Sequence, residues 1–273
     1  FNATSPVIKK GLALTPVKFG ISFTAQHLNQ AGALLHVYTD GSIMINHGGT
    51  EMGQGLHTKI CQVVARELGL DLDSVRISAT RTDKVPNTSP TAASSGADLN
   101  GMAARDAAGK LRERLFDFAA GHFEEGLDRE GMRLENGMLV AGSGESERRI
   151  PWGELIQTAY LNRVSLSEKG FYATPLIHYN RATGQGRPFY YYAFGAAVAE
   201  VSVDTLSGEY LVDRVDILHD VGNSLNPAID IGQIEGGFIQ GMGWLTSEEL
   251  KWSDKGVLMS DGPATYKIPT YGD

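Results

Sequence analysis

Glycine placement constrains this chain more than any other feature. Of 273 residues 33 are glycine, against the roughly 19 that an average usage of about 7% would give. They gather in a few segments instead of spreading. Gly48, Gly49, Gly53 and Gly55 fall within His47-Gly48-Gly49-Thr50-Glu51-Met52-Gly53-Gln54-Gly55. Gly232, Gly236, Gly237, Gly241 and Gly243 fall within the stretch Asn226 to Gly243. A third small-residue run, Thr88-Ser89-Pro90-Thr91-Ala92-Ala93-Ser94-Ser95-Gly96, lies between them. Segments of this kind let backbone approach a ligand or another backbone closely.

The elements around these segments are readable from pattern. Leu34 to Tyr38 and Ile43 to Asn46 flank an Asp40-Gly41 turn, which predicts a hairpin. Ile60, Val63, Val64 and Leu68 recur at helical spacing, with Gly69 as the stop. Val75 to Thr80 reads as a strand. Leu99, Met102, Ala103, Leu111, Leu115 and Phe118 mark a second helix, N-capped by Ser94 or Ser95. Asn136-Gly137 signals another hairpin, and Pro151-Trp152 opens a short helix to about Tyr160. Phe189 to Asp204 and Glu209 to His219 read as a long strand pair, with Ala197, Ala199, Val201 and Val203 on one face. Asn226-Pro227 is an N-cap followed by N1 of a last helix, and Asp254-Lys255-Gly256 turns a final hairpin. Strands and helices do not alternate regularly, so the fold class is α+β, with mixed sheets and hairpins packed with several helices. Two lobes, about 1–125 and 147–273, are expected, with a polar surface excursion at 121–146.

Composition narrows the function. Acidic residues exceed basic ones by 32 to 24, which argues against nucleic acid as a partner. No apolar run approaches the ~18 residues of a membrane span, and no basic segment followed by an apolar one opens the sequence, so a secretory signal is not expected. The lone Cys61 cannot form an internal disulfide, so a reducing, cytoplasmic setting is the default. His47 and His57 bracket the first loop without a third ligand at metal spacing, and Glu51 reads as a loop-bracing or helix-start carboxylate. No nucleophile motif is present. Helix starts lined by amides, hydroxyls and glycines would hold an anionic ligand, and a bound cofactor would have to bring the chemistry.

Gly48 to Lys59, Val85 to Ser94 and Asp220 to Gly241 resemble three segments of the xanthine dehydrogenase/aldehyde oxidase family, the molybdenum hydroxylases, closest to its xanthine dehydrogenase branch. The resemblance implies a fragment (1–273) of a molybdopterin-binding domain, as in the large subunit of bacterial members. The metal would be held by the dithiolene of a pterin and by no protein side chain. Met52, Gln54, Ala93, Ser94, Ser95, Gly96 and Gln233 match cofactor-contacting positions. Phe23, Thr24, Leu28, Pro90 and Ala92 match positions that stack on, hydrogen-bond or wall in a flat heterocycle. The implied reaction oxidises hypoxanthine and xanthine to xanthine and urate. Electrons would leave through 2Fe-2S clusters to FAD and NAD on partner domains or subunits, in a hetero-oligomer.

The family's general-base glutamate sits in a Gly-Glu-Pro segment that does not occur here, so no catalytic residue is assigned and the chain alone is expected to be inactive. An aldehyde oxidase-type enzyme and a non-catalytic cofactor-binding or assembly module are the competing expectations.

Overall fold

A computed structural model describes residues 1–84, 87–123 and 127–271. In chain order the strands and helices are β1 (Ile8–Gly20), β2 (Gln30–Val37), β3 (Ile43–His47), α1 (Leu56–Glu67), β4 (Val75–Ile77), α2 (Gly96–His122), β5 (Arg133–Glu135), β6 (Met138–Ala141), β7 (Arg148–Pro151), α3 (Trp152–Leu161), β8 (Ser167–Ala173), β9 (His178–Asn180), β10 (Gln185–Arg187), β11 (Tyr192–Asp204), β12 (Tyr210–His219) and α4 (Pro227–Leu245). The mixture is the expected α+β class. The chain divides into two compact units, Gly20–Tyr191 and Phe1–Phe19 with Tyr192–Asp273.

Residues 127–151 include the antiparallel sheet β5-β6-β7, in which consecutive Leu139, Val140 and Ala141 are all buried, so both faces of β6 are covered. Glu124 to Gly126, within the expected excursion, lie outside the described residues, as do Val85 and Pro86 of the segment Val85 to Ser94.

The larger unit is organised by a four-stranded sheet in the order β4-β3-β2-β8. The Asp40-Gly41 turn works because Gly41 takes a positive φ of 85°, and β2 then pairs antiparallel with β3. Alternation puts Ala31, Ala33, Leu35 and Val37 of β2 on the buried face, with Ile43 and Ile45 of β3 beside them. The expected strand from Val75 to Thr80 is shorter, and its Val75–Ile77 run pairs parallel with β3.

Helix α2 covers this sheet. Ala103, Ala104, Ala107 and Ala108 have no exposed surface, and such small side chains bring the helix backbone close. At the nearest approach a Cβ on Gly170 of β8 would lie 1.9 Å from the Ala103 carbonyl oxygen. Helix α1 packs against α2 with Ile60 and Val64 fully buried. Each such side chain contributes roughly 2 kcal/mol of transfer free energy. Trp152 opens α3 and donates its indole N–H to the Gly41 carbonyl at 2.8 Å, which ties α3 to the β2–β3 turn.

The smaller unit holds the sheet β1-β11-β12, helix α4 and a hairpin closed by the Trp252–Leu258 bridge. β11 and β12 pair antiparallel, with a bulge between Glu200 and Val201. Among the described residues, every buried apolar side chain lies between Ala31 and Ala159. Ala197, Ala199, Val201 and Val203 are accordingly only half-buried. Among the described residues, no helix is long and apolar enough to cross a membrane.

Candidate functional site

The first glycine loop runs from the end of β3 to the start of α1. Gly48 and Gly49 are there for close approach. A Cβ on Gly48 would lie 2.4 Å from Thr88 Cβ, and one on Gly49 would lie 2.6 Å from Leu56 Cδ2. Gly53 and Gly55 serve the turn instead, with φ of 101° and 72°. Glu51 sits at the centre. Its Oε1 accepts the N–H groups of Gly53 at 2.9 Å and Gly55 at 3.0 Å, and Oε2 accepts that of His57 at 2.9 Å.

That arrangement corrects one expectation. The Glu51 carboxylate already takes two loop amides and the His57 amide of the first α1 turn, so an incoming anion does not have those three to bind. Burial pushes the Glu51 carboxyl up, but donation from His57, Gly55 and Gly53 outweighs it and holds the group below the usual carboxylate range. Replacing it (Glu51→Ala) leaves three loop amides without their acceptor. The loss expected for a helix cap is about 1–2 kcal/mol, read as faster hydrogen exchange of the Gly53, Gly55 and His57 amides. Unchanged exchange would contradict the capping role.

Gln54 also turns back onto the loop. Its Nε2 donates to the Thr50 carbonyl at 2.9 Å, and its Oε1 accepts the Met52 N–H at 2.6 Å. Met52 itself is exposed.

The second segment is stitched to the first. Thr50 N–H donates to Thr91 Oγ1 at 2.9 Å, and Thr80 Oγ1 donates to the Gly49 carbonyl at 3.1 Å. Ala93 and Ser94 both adopt left-handed backbone, with φ of 55° and 54°, a conformation that costs a non-glycine residue about 1–2 kcal/mol. Strain of this kind concentrates where a ligand is gripped. Ser95 is the N-cap of α2, but its hydroxyl donates to the Ala92 carbonyl at 2.9 Å and makes no capping bond to the helix. Unlike the Glu51 carboxylate at α1, the Ser95 side chain at the N-cap of α2 accepts no hydrogen bond from the first amides of its helix. Asp98, in its first turn, is raised by burial while accepting from Tyr191.

Phe23, Thr24 and Leu28 follow β1 and reach the same place. Ser22, at a positive φ of 101°, donates its N–H to the Ala93 carbonyl at 3.1 Å. The Ser89 hydroxyl donates to the Leu28 carbonyl. The structure therefore brings Phe23, Thr24, Leu28, Met52, Gln54, Pro90 and Ala92 to Gly96 into one region of the larger unit. Gln233 belongs to α4 in the other unit, where it is exposed.

His47 and His57 lie beneath the first loop with ring centroids 5.3 Å apart, edge to face. His47 is buried, and its Nδ1 accepts the Gly49 N–H at 3.0 Å. Burial first, then the neighbouring His57, lowers its pKa to about 4, against the pull of Glu51. Among the described residues, no three His, Cys, Asp or Glu side chains gather to hold a metal ion.

Helix α4 begins as expected, with the Asn226 carboxamide accepting the Ile229 N–H at 3.2 Å. Its glycines do not serve helix-on-sheet packing within the unit. A Cβ on Gly232, Gly236, Gly237 or Gly241 would meet no described atom within 4 Å. Only Gly243 is pressed, against Glu248 and Pro269.

The family model described as molybdopterin cofactor-binding domain matches residues 1–273. The chain belongs to that family. Among curated relatives, a xanthine dehydrogenase/oxidase of Gallus gallus is 50% identical over 273 residues, covering all of this chain and 18% of the relative. A xanthine dehydrogenase of Oryza sativa subsp. japonica is 47% identical, again over the whole chain and 19% of the relative. The chain thus spans about a fifth of their length. In fold, this molybdopterin-binding domain is similar to quinoline 2-oxidoreductase from Pseudomonas putida 86, with a TM-score of 0.83 at 24% identity, covering 98% of this chain and 34% of the other. The aldehyde oxidoreductase of Desulfovibrio desulfuricans gives 0.70 at 23% identity, covering 97% and 26%.

The residues present fit a pterin bearing a phosphate. α2 offers first-turn amides that the Ser95 side chain at its N-cap does not take, Ala93 and Ser94 hold backbone in a strained turn, and Gly53 presents open backbone with no described atom where a Cβ would stand. Sequence reasoning missed Asn29, whose side chain holds the Phe23 backbone, and Gly170, which sets how closely α2 lies on β8. Asn29 gave no periodic signal. Gly170 gave only the weak one of a glycine inside a strand.

Proposed function

We propose that this domain is the cofactor-binding part of a purine hydroxylase that oxidises hypoxanthine and xanthine to xanthine and urate. The observation that carries the reading is identity of 50% and 47% over the whole chain to proteins named xanthine dehydrogenase, against 24% or less for the oxidoreductases that share the fold. Ala93, Ser94, Ser95 and Gly96 would hold the pterin and its phosphate through the α2 start, Met52 and Gln54 would face it from the first loop, and Gln233 would be a further cofactor contact, as the family resemblance implies. When bound, the molybdenum–pterin group supplies two-electron oxidation of an electrophilic carbon. The protein supplies position and a dry wall: Phe23 stacks on the flat heterocycle, Thr24 hydrogen-bonds it, and Leu28, Pro90 and Ala92 close the sides.

On this reading the general base and the 2Fe-2S, FAD and NAD carriers belong to the rest of a longer protein or its partner subunits, in the cytoplasm. Leu218, Trp244 and Leu245 of the smaller unit are 80%, 67% and 87% exposed, and a larger assembly would cover such side chains.

The intact protein is expected to turn over hypoxanthine with a higher kcat/KM than benzaldehyde; the reverse order would favour aldehyde oxidation and overturn the purine reading. Replacing Gln54 (Gln54→Ala) is expected to cut turnover about tenfold, since a slack loop misplaces what it holds. Melting of the protein should barely move, because the side chain bonds only to the loop backbone. Equal losses of stability and turnover would make Gln54 structural.

A further inference from the structure

Asn29 is 2% exposed and follows the short turn Gln26–Leu28. Its backbone is pinned on both sides: its N–H donates to the Gln26 carbonyl at 3.0 Å, and its carbonyl accepts the Thr174 N–H at 3.0 Å. Its carboxamide makes a two-point clamp on Phe23. Oδ1 accepts the Phe23 N–H at 2.8 Å, while Nδ2 donates to the Phe23 carbonyl at 2.7 Å. The same Oδ1 accepts the Ser22 hydroxyl. Ser22, held there at a positive φ of 101°, sends its N–H to the Ala93 carbonyl at 3.1 Å.

The side chain thus acts as a strand partner one residue long, satisfying both main-chain groups of Phe23. A backbone clamped at N–H and C=O fixes the direction in which the Cα–Cβ bond leaves. The clamp and the Ser22 bond together fix Phe23 relative to the left-handed pair Ala93 and Ser94.

We propose that Asn29 is a positioning residue for the flat substrate, setting the orientation of the Phe23 ring against the Ala93–Ser94 segment. The inference rests on Phe23 being the stacking residue proposed above. It assigns Asn29 no contact with substrate or cofactor.

The test compares Asn29→Ala, Phe23→Ala and the double variant in the intact, cofactor-loaded protein, with hypoxanthine as the probe. Asn29→Ala is expected to raise KM and the hypoxanthine Kd about tenfold while kcat changes less than about threefold, because a misdirected ring weakens stacking first. The double variant is expected to be no worse than Phe23→Ala alone, since Asn29 acts through Phe23. Hydrogen exchange of the Phe23 amide, which needs no substrate, should quicken markedly in Asn29→Ala. An unchanged KM in Asn29→Ala beside a raised one in Phe23→Ala, or effects that multiply, would overturn the inference. Hypoxanthine failing to bind the parent protein, or Phe23→Ala leaving KM unmoved, would overturn the stacking reading and the inference with it. If Asn29→Ala does not load cofactor, Asn29→Asp, which keeps the shape and the acceptor oxygen, carries the same comparison.

Discussion

Replacing Gly170 by alanine is expected to cost the domain about 3 kcal/mol, the upper end for forcing one methyl into a packed interior. The added carbon would stand 1.9 Å from the Ala103 carbonyl oxygen, 2.6 Å from the Ala107 nitrogen and 3.0 Å from the Ala107 Cβ. Two of those three neighbours are helix backbone, so no rotamer change can make room. Either α2 lifts from β8 or β8 leaves the sheet. A lift would carry away the α2 start, where Ser95 and Gly96 lie, so cofactor retention should fall with stability. Hydrogen-exchange protection across α2 and β8 reads the effect directly. Protection as high as in the parent protein would show that the helix does not depend on this contact.

The first loop is expected to loosen as pH falls from about 6.5 to about 4. His47 is buried and neutral, its Nδ1 taken by Gly49, and its pKa is lowered to about 4. In the unfolded chain the same imidazole takes its proton near 6.5. Between those values the unfolded state binds more protons than the folded one, so stability drops as acid is added. At 1.36 kcal/mol per unit the full effect is roughly 3 kcal/mol. It is complete below pH 4 and absent above 6.5. The exchange rate of the α1 amides in the intact protein, followed from pH 7 to 4, should show this decline, and His47→Gln, which keeps an acceptor for Gly49, should flatten it. An identical decline in the variant would assign it to other groups.

What the sequence disclosed and what it hid divide along physical lines. Local signals were reliable. The turns at Asp40-Gly41 and Asn136-Gly137 hold because Gly41, Asn136 and Gly137 take positive φ, and α1, α2, α3 and α4 start within a residue or two of their expected places. Glu51 was legible as a bracing carboxylate, although its taking of the Gly53, Gly55 and His57 amides was not, since that depends on a turn six residues long. β1 and β8 escaped notice. Lys9, Lys10 and Gly11 break the alternation in β1, and β8 carries Gly170 at the point where another strand would show a large apolar residue. Long-range contacts leave little trace in composition. The clamp from Asn29 to Phe23, the stitch from Thr50 to Thr91 and the bond from Ser22 to Ala93 each join residues whose partnership only the folded chain reveals. The α4 glycines were legible as unusual, yet their reason lies in no described neighbour.

Native mass spectrometry of the intact protein bears most directly on whether the α2 start and first loop hold a pterin. The expected result is one molybdenum and one pterin for each copy of this domain, released together on unfolding. Protein that turns over substrate while carrying neither would contradict it.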